Sequence, residues 1–457
     1  MDLTGRKVLV VGLARTGVSV ARFLLEQGAR VSGADRRTIE ELGDPVRELA
    51  ERGCLLRLGE HGDRDFLEAE LIVVSPGVPP SLAPLAAARQ AGIPVIGDVE
   101  LVSRYLPCPV VGVTGTNGKT TTVSLLHAML RQAGIPHWFG GNIGQPLADF
   151  LTRDSAVKGS EPPRLVLMEL SSFQLETIER FRPWIAAWTN LSEDHLDRYP
   201  DMQAYAEAKA RIFENQTARD VAIVPARDAW LDGIKARLQA RLLRFGNSAA
   251  PGPEIRLEPG RIRFRLEEGG EEIYPTARVR LPGKHNLENL MVALAAARLC
   301  GVPAAAVQEV LEGFPGLEHR LEFVSERNGV RFYNDSKGTT VSSVERALEA
   351  FADPVLLLAG GKDKGGSYAP LREPLRQHVR KLFLFGQAAD RMQGELAGAC
   401  EIVRVKDLRG AVREAWEASR TGEIVLLSPA CSSYDMFRDY EDRGEQFKCR
   451  VKEILGA

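Results

Sequence analysis

The chain has 457 residues, with 59 basic against 61 acidic side chains, a net charge of −2, and 44% hydrophobic residues. That length suits roughly three domains of about 150 residues, each able to bury its own core, and the balanced charge offers no nucleic-acid surface. Six scattered cysteines without a C-x-x-C pair fit neither a disulfide framework nor a zinc site. With no leader-like N-terminus and no apolar run near 18 residues, the expectation is a cytoplasmic protein with no membrane partner.

In chain order, Lys7–Val11 is a continuous apolar run suited to a strand buried on both faces. Gly12–Gly17 makes a turn, Val18–Gln27 a helix stopped by Gly28, and Arg30–Ala34 a strand ending at Asp35. Leu71–Val74 is a further strand, ending at Ser75-Pro76-Gly77. Alternating strands and helices predict an α/β fold with a doubly wound, Rossmann-like first domain over residues 1–108.

Prolines at 107 and 109 open a second domain, 109–315. It holds strand Val110–Val113, helix Thr120–Gln132, strands Leu165–Glu169 and Ile185–Thr189, and helix Asn286–Leu299. Short alternating runs over 251–282 read as antiparallel hairpins, so the sheet is expected to be mixed, and Val157–Pro163 reads as a polar insertion. Gly313-Phe314-Pro315-Gly316 leads into a third, Rossmann-like domain, 316–457, with strands Val355–Leu358, Lys381–Phe385 and Ile424–Leu427.

Thr114-Gly115-Thr116-Asn117-Gly118-Lys119-Thr120 lies between a strand and a helix, where backbone N–H groups converge on nucleotide phosphates. Lys119 would balance phosphate charge and Thr120 would ligate magnesium. The match is to the G-K-T end only, because Val113 stands where the usual pattern has glycine. Glu169 and the run Asn190–Asp197 follow strands at the sheet edge where ligands sit, so Glu169 and His195 would hold a second cation. A histidine alone is more often structural, and its place after a strand neighbouring the phosphate loop reverses that reading.

These motifs, with Glu169-Leu170-Ser171-Ser172-Phe173-Gln174-Leu175 and Glu193-Asp194-His195, resemble the Mur ligases, three-domain amide-forming enzymes related to folylpolyglutamate synthetase. Four further stretches are Asp194–Tyr199, Leu281–Asn289, Asn334-Asp335-Ser336-Lys337 and Ser428–Ser433. The last two place the resemblance nearest the D-glutamate-adding members rather than those adding diaminopimelate or lysine. The resemblance implies a central P-loop ATPase-type domain and a monomeric ligase of peptidoglycan synthesis. ATP would phosphorylate the carboxylate of UDP-N-acetylmuramoyl-L-alanine, and D-glutamate would capture the acyl phosphate.

By the same resemblance, Gly115, Thr116, Asn117, Gly118, Lys119, Thr120 and Thr121 hold ATP, and Thr120, Glu169 and His195 hold magnesium at two sites. Lys209, on a helix read as Tyr205–Phe213, becomes a carbamate and joins them. Asn286, Asn289, His319, Arg320 and Asp335 meet the nucleotide, with domain closure expected over it. Thr339, Lys364, Ser433 and Tyr440 meet D-glutamate. Arg15, Thr16, Asp35, Arg36, Ser75, Gly77 and Asn142 meet the UDP substrate. The chain departs from the family pattern at Gly338, Thr340, Tyr434 and Tyr440, all near the amino-acid pocket.

Gly12-Leu13-Ala14-Arg15-Thr16-Gly17 with Asp35 also imitates a dinucleotide fingerprint, but Ala14 stands where close pyrophosphate approach needs glycine. A nicotinamide oxidoreductase built on that loop leaves Lys119, Glu169 and His195 unexplained. A phosphate-loop switch protein would hydrolyse nucleotide under a protein partner and ignore amino acids.

Overall fold

The computed structural model describes residues 1–59, 62–152, 162–196, 198–247, 254–265, 270–279, 281 and 283–456. Asp197 and Pro282, within quoted motifs, lie outside the described residues, as does most of the insertion read at Val157–Pro163. The fold is α/β with three sheets, as the sequence predicts.

The first sheet has five parallel strands in the spatial order Leu55–Leu58, Arg30–Asp35, Lys7–Val11, Leu71–Val74, Val95–Gly97. Val8 and Val10 pack into one apolar cluster and Leu9 and Val11 into another, so strand alternation buries both faces. Each such side chain contributes about 1.5–3 kcal/mol on burial. The chain order reverses between Lys7–Val11 and Leu71–Val74, so the loops after these strands, Gly12–Ala14 and Ser75–Val78, flank a crevice suited to a ligand. The helix after the first loop runs Arg15–Glu26, three residues earlier than periodicity predicts. Arg15 and Thr16 are exposed or half-buried and leave no mark in the apolar pattern.

The second sheet has nine strands. Its order is Glu271–Pro275, Arg261–Arg265, Ile255–Glu258, Arg241–Asn247, Val221–Pro225, Ile185–Trp188, Val110–Thr114, Leu165–Glu169, His137–Gly141. The first two pairings are antiparallel, which fits the hairpin reading, and the rest are parallel. Val110–Thr114 is fully buried between Leu165–Glu169 and Ile185–Trp188, so the loops after all three open at one edge. The helix carrying Lys209 is Met202–Ala210, capped by the Asp201 carboxylate accepting from Ala204 N–H, and tightens into a 3-10 turn over Arg211–Phe213.

The third sheet has six strands in the order Glu322–Arg327, Val330–Asn334, Ile424–Leu427, Val355–Gly360, Val379–Phe385, Glu401–Arg404. Only the first pairing is antiparallel. Leu357 and Ala359 face one core, Leu356 and Leu358 the other. The described residues form two compact units: Met1–Ala277 with Glu288–Leu311, and Arg278–Leu287 with Glu312–Ala457.

Candidate active site

In the first unit, strand Val110–Thr114 delivers the phosphate loop and helix Lys119–Gln132 leaves it. Gly118 turns the chain at φ 82°, and a Cβ there would lie 2.1 Å from Asn289 Oδ1, so only glycine fits. Asn289 is buried and accepts a long 3.4 Å bond from the Thr122 hydroxyl. The loop is fixed from the neighbouring strand's end. Thr116 N–H donates to Asn190 O at 2.9 Å, Asn117 N–H to Asn190 Oδ1 at 3.1 Å, and Thr189 Oγ1 to Asn117 O at 2.6 Å. The sequence assigns no ligand to Thr189, Asn190 or Ser192, the last of which accepts from Asn117 Nδ2 at 3.1 Å. Their signal was the position immediately after a strand adjoining the phosphate-loop strand.

Lys119 Nζ donates to Gly115 O at 2.8 Å and Thr116 O at 2.9 Å, curling over its own loop. The Thr120 hydroxyl donates to Glu169 Oε2 at 2.7 Å, and Asn142 Nδ2 donates to Glu169 Oε1 at 2.8 Å. Glu169 is buried at the end of its strand, and Thr121 is buried in the first helical turn. The structure therefore joins Thr120 and Glu169, both expected to hold magnesium, with Asn142, expected to meet the UDP substrate.

Lys209 is 2% exposed and donates to Gly115 O at 2.9 Å, the same carbonyl that Lys119 engages. Its ammonium also lies 4.5 Å from the centroid of the Tyr205 ring. Burial pushes its pKa well below the ordinary lysine value, and the nearby Lys119 charge pushes the same way, against weaker pull from Asp194 and Glu169. Tyr205, to which the sequence assigns no role, is buried with its hydroxyl 3.3 Å from Thr116 Oγ1. His195 sits at φ 56°, a conformation costing about 1–3 kcal/mol in a residue with Cβ. It is held by its N–H bond to Asp194 Oδ1 and by edge contacts of its ring to Phe173 and Tyr205.

At the first sheet's crevice the Ser75 hydroxyl donates to Gly12 O at 2.7 Å, tying the two switch-point loops. Asp35 is buried and accepts from Leu13 N–H at 2.7 Å. Its cationic partner is Arg37, through Nε at 3.1 Å and Nη2 at 2.9 Å; Arg36 and Arg37 are both exposed. Burial opposes ionisation of Asp35, and the Arg37 bonds outweigh it, leaving the pKa below the usual carboxylate value. A pocket of about 450 Å³ opens here between Leu13, Arg15, Arg22, Arg37 and Asp149. Gly77 is exposed on the neighbouring loop. Arg198 joins that loop to the end of helix Ser172–Leu175, donating to Pro76 O at 3.3 Å and pairing with Glu176.

In the second unit, Asp335 is buried, accepts from Ser428 Oγ at 2.7 Å, and is pushed up to about 7 by burial despite Arg320 nearby. His319, at φ 62°, shares a 2.9 Å hydrogen bond with Asn334. Asn286, in the first turn of helix Lys284–Leu299, is buried. Lys364 Nζ donates to Thr339 O at 3.1 Å and Oγ1 at 3.3 Å, joining two predicted amino-acid contacts. Ser433 is buried beside Ser432, whose carbonyl accepts from Lys362 N–H at 2.9 Å. Tyr440 gives its ring face to Lys337 Nζ at 3.5 Å. Buried Arg443, also missed, donates to Ser336 Oγ at 3.0 Å and Cys431 O at 3.2 Å, stapling two motifs together.

Three family matches cover most of the chain: Mur ligase MurD-like N-terminal domain over 6–97, Mur ligase middle domain over 113–297, and Mur ligase glutamate ligase domain over 319–431. The chain is 46% identical over 454 residues to the UDP-N-acetylmuramoylalanine–D-glutamate ligase of Geobacter metallireducens, covering 99% of each. It is 47% identical over 454 residues to the like-named protein of Pelobacter propionicus, covering 99% of this chain and 100% of that one. A solved pseudomurein peptide ligase type C from Methanothermus fervidus shares the fold, with a TM-score of 0.63 at 17% identity over 98% of this chain and 100% of that one. With all three domains matched and near-complete overlap with these relatives, the chain belongs to the Mur ligase family, in its MurD-like branch.

Proposed function

We propose that the chain is an ATP-dependent ligase that adds D-glutamate to UDP-N-acetylmuramoyl-L-alanine in peptidoglycan synthesis, acting as a cytoplasmic monomer with domains 1–108, 109–315 and 316–457. The observation that carries the reading is the convergence of Lys119 and Lys209 on the Gly115 carbonyl, beside a Thr120 hydroxyl bonded to Glu169. The substrate pair comes from the near-full-length relatives named above. Among the described residues no helix is long and apolar enough to cross a membrane.

A carboxylate is a poor electrophile until one oxygen carries a leaving group. The γ-phosphoryl group passes to a carboxylate oxygen and ADP departs; the D-glutamate amine then attacks the carbonyl carbon and phosphate leaves. Lys119 would release its carbonyls to bind phosphoryl oxygens, and the loop's N–H groups would orient them. Thr120 and Glu169 offer hard oxygen donors one hydrogen bond apart, which suits magnesium, and with His195 they are assigned to magnesium at two sites. Magnesium, when bound, supplies positive charge to the transferring phosphoryl group.

Lys209 fits the carbamate reading because burial favours its neutral amine over the ammonium, and the neutral form is the one whose lone pair bonds to CO₂ while a proton leaves to water. The product offers oxygens where an ammonium would repel a cation. Arg15, Thr16, Asp35, Arg36 and Gly77 are assigned to the UDP substrate, now with Arg37. Ser75 is assigned there through its hold on Gly12, and Asn142 through its bond to Glu169. Asn286, Asn289, Arg320 and Asp335 are assigned to ATP, and Thr339, Lys364, Ser433 and Tyr440 to D-glutamate.

Phosphate release is the test. Release is expected only when ATP, magnesium, UDP-N-acetylmuramoyl-L-alanine and D-glutamate are all present, and Lys119→Ala is expected to abolish it. Equal release without the amino acid, or undiminished turnover in the variant, would overturn the reading.

A further inference from the structure

The loop Gly360–Gly366 carries Lys364, and four of its seven residues are glycine, which alone would leave the lysine wandering. Its polar groups are instead caught from one place. Asp363 Oδ1 accepts from Gly365 N–H at 2.9 Å and from the Tyr368 hydroxyl at 3.0 Å. Asp363 Oδ2 pairs with Arg391 Nη1 at 2.9 Å. Arg391 Nη2 donates to Gly366 O at 2.8 Å, and its guanidinium lies 5.5 Å from the Tyr368 ring centroid.

Glu395, one helical turn further on, accepts from Arg391 Nε at 2.8 Å, Tyr368 N–H at 2.6 Å and Ser367 Oγ at 3.0 Å. Arg391 and Glu395 ride on helix Ala389–Leu396, which follows strand Val379–Phe385, the sheet neighbour of the loop's own strand Val355–Gly360. The helix and the loop are thus registered to each other by the same sheet.

We propose that Arg391 is a positioning residue for the amino-acid substrate: with Asp363 and Glu395 it fixes the loop so that the Lys364 ammonium waits at Thr339, and so sets the affinity for D-glutamate. This rests on the assignment of Lys364 to a D-glutamate carboxylate. The planar guanidinium reaches Asp363, Glu395 and Gly366 O at once, a three-way hold that an ammonium cannot copy. The Arg391 side chain is 38% exposed, so removing it opens no core cavity and the variant keeps its fold.

Steady-state kinetics on the full chain, varying each substrate in turn, tests this with Arg391→Met, Arg391→Lys, Lys364→Ala and the double variant Arg391→Met/Lys364→Ala. Arg391→Met is expected to raise KM for D-glutamate by about tenfold, a coupling of ordinary size for contacting residues. KM for ATP and for the UDP substrate, and kcat at saturating D-glutamate, stay within about twofold on the same scale. Arg391→Lys recovers part of the loss, and the double variant is no worse than Lys364→Ala alone. If Lys364→Ala raises KM for D-glutamate and Arg391→Met does not, the clamp is refuted and the Lys364 assignment stands. If Lys364→Ala changes nothing, both fall. A uniform drop in kcat with all three KM values disturbed, or a lowered melting temperature, would make Arg391 merely structural and refute the proposal.

Discussion

Lys209 costs the fold stability at neutral pH. Its pKa is lowered, so the folded state holds fewer protons than the unfolded chain from the depressed value up to the ordinary 10.5. Stability therefore rises with pH across that window, and at neutral pH the buried amine is a liability. Gly115 O keeps Lys119 as a donor when Lys209 is removed, so no carbonyl is orphaned. Lys209→Met is accordingly expected to melt at a higher temperature than the parent at pH 7, with the gain shrinking as pH approaches 10.5. Turnover should fall by at least about 10²-fold, the scale of losing an electrostatic catalytic group. Thermal melts from pH 7 to 10 in bicarbonate-free buffer, where the parent carries the free amine, and phosphate release check both limbs; a variant less stable at pH 7 there would refute the burial argument. Intact-mass measurement at saturating bicarbonate should find the parent, and not the variant, heavier by one CO₂.

Among the elements, the first strand–turn–helix unit is set by close approach rather than by propensity. A Cβ on Gly17 would lie 1.8 Å from Gly12 O, a backbone atom that cannot swing aside. Gly17→Ala is expected to cost about 2–3 kcal/mol through forced backbone displacement. Gly233, in helix Ala229–Lys235, is exposed with open space around its Cβ position, and alanine there should stabilise by about 0.4–1 kcal/mol. Melting midpoints of the two variants shifting in the same direction would sink this contrast. The central strands were legible because they are short apolar runs bounded by glycine and proline, and their ends placed Glu169 and Ser75 correctly at sheet edges. Sheet order was not legible, since register between distant strands is settled by packing, so the sequence places Asn190 at a ligand-bearing sheet edge without showing that it braces the phosphate loop. Arg37 escaped because Arg36 and Arg37 are equivalent in sequence, and only the turn after Asp35 aims one of them back at it.

At the scale of the whole chain, punctuation by proline and glycine gave the three-sheet division. It did not reveal that Arg278–Leu287 groups with the third sheet's unit while Glu288–Leu311 groups with the first two, because one continuous helix, Lys284–Leu299, runs across the boundary between them. Each unit has its own apolar cores, one built around Val8, Val10, Val166 and Trp188, another around Leu357, Leu382 and Leu426. Cooperative unfolding follows a shared core, so calorimetry is expected to resolve two transitions. The groups assigned to the UDP substrate all belong to the first unit, and a ligand that binds only the folded form stabilises it by RT ln(1 + [L]/Kd), about 2.7 kcal/mol at a hundredfold excess over Kd. Saturating UDP-N-acetylmuramoyl-L-alanine alone should therefore move one transition upward and leave the other in place. D-glutamate alone, assigned to Thr339, Lys364, Ser433 and Tyr440, should act on the second. A single transition shifted as a whole by either substrate would mean that the separate cores do not unfold separately. Two transitions with the nucleotide substrate moving the D-glutamate-sensitive one would instead overturn the assignment of Asp35, Arg37 and Ser75.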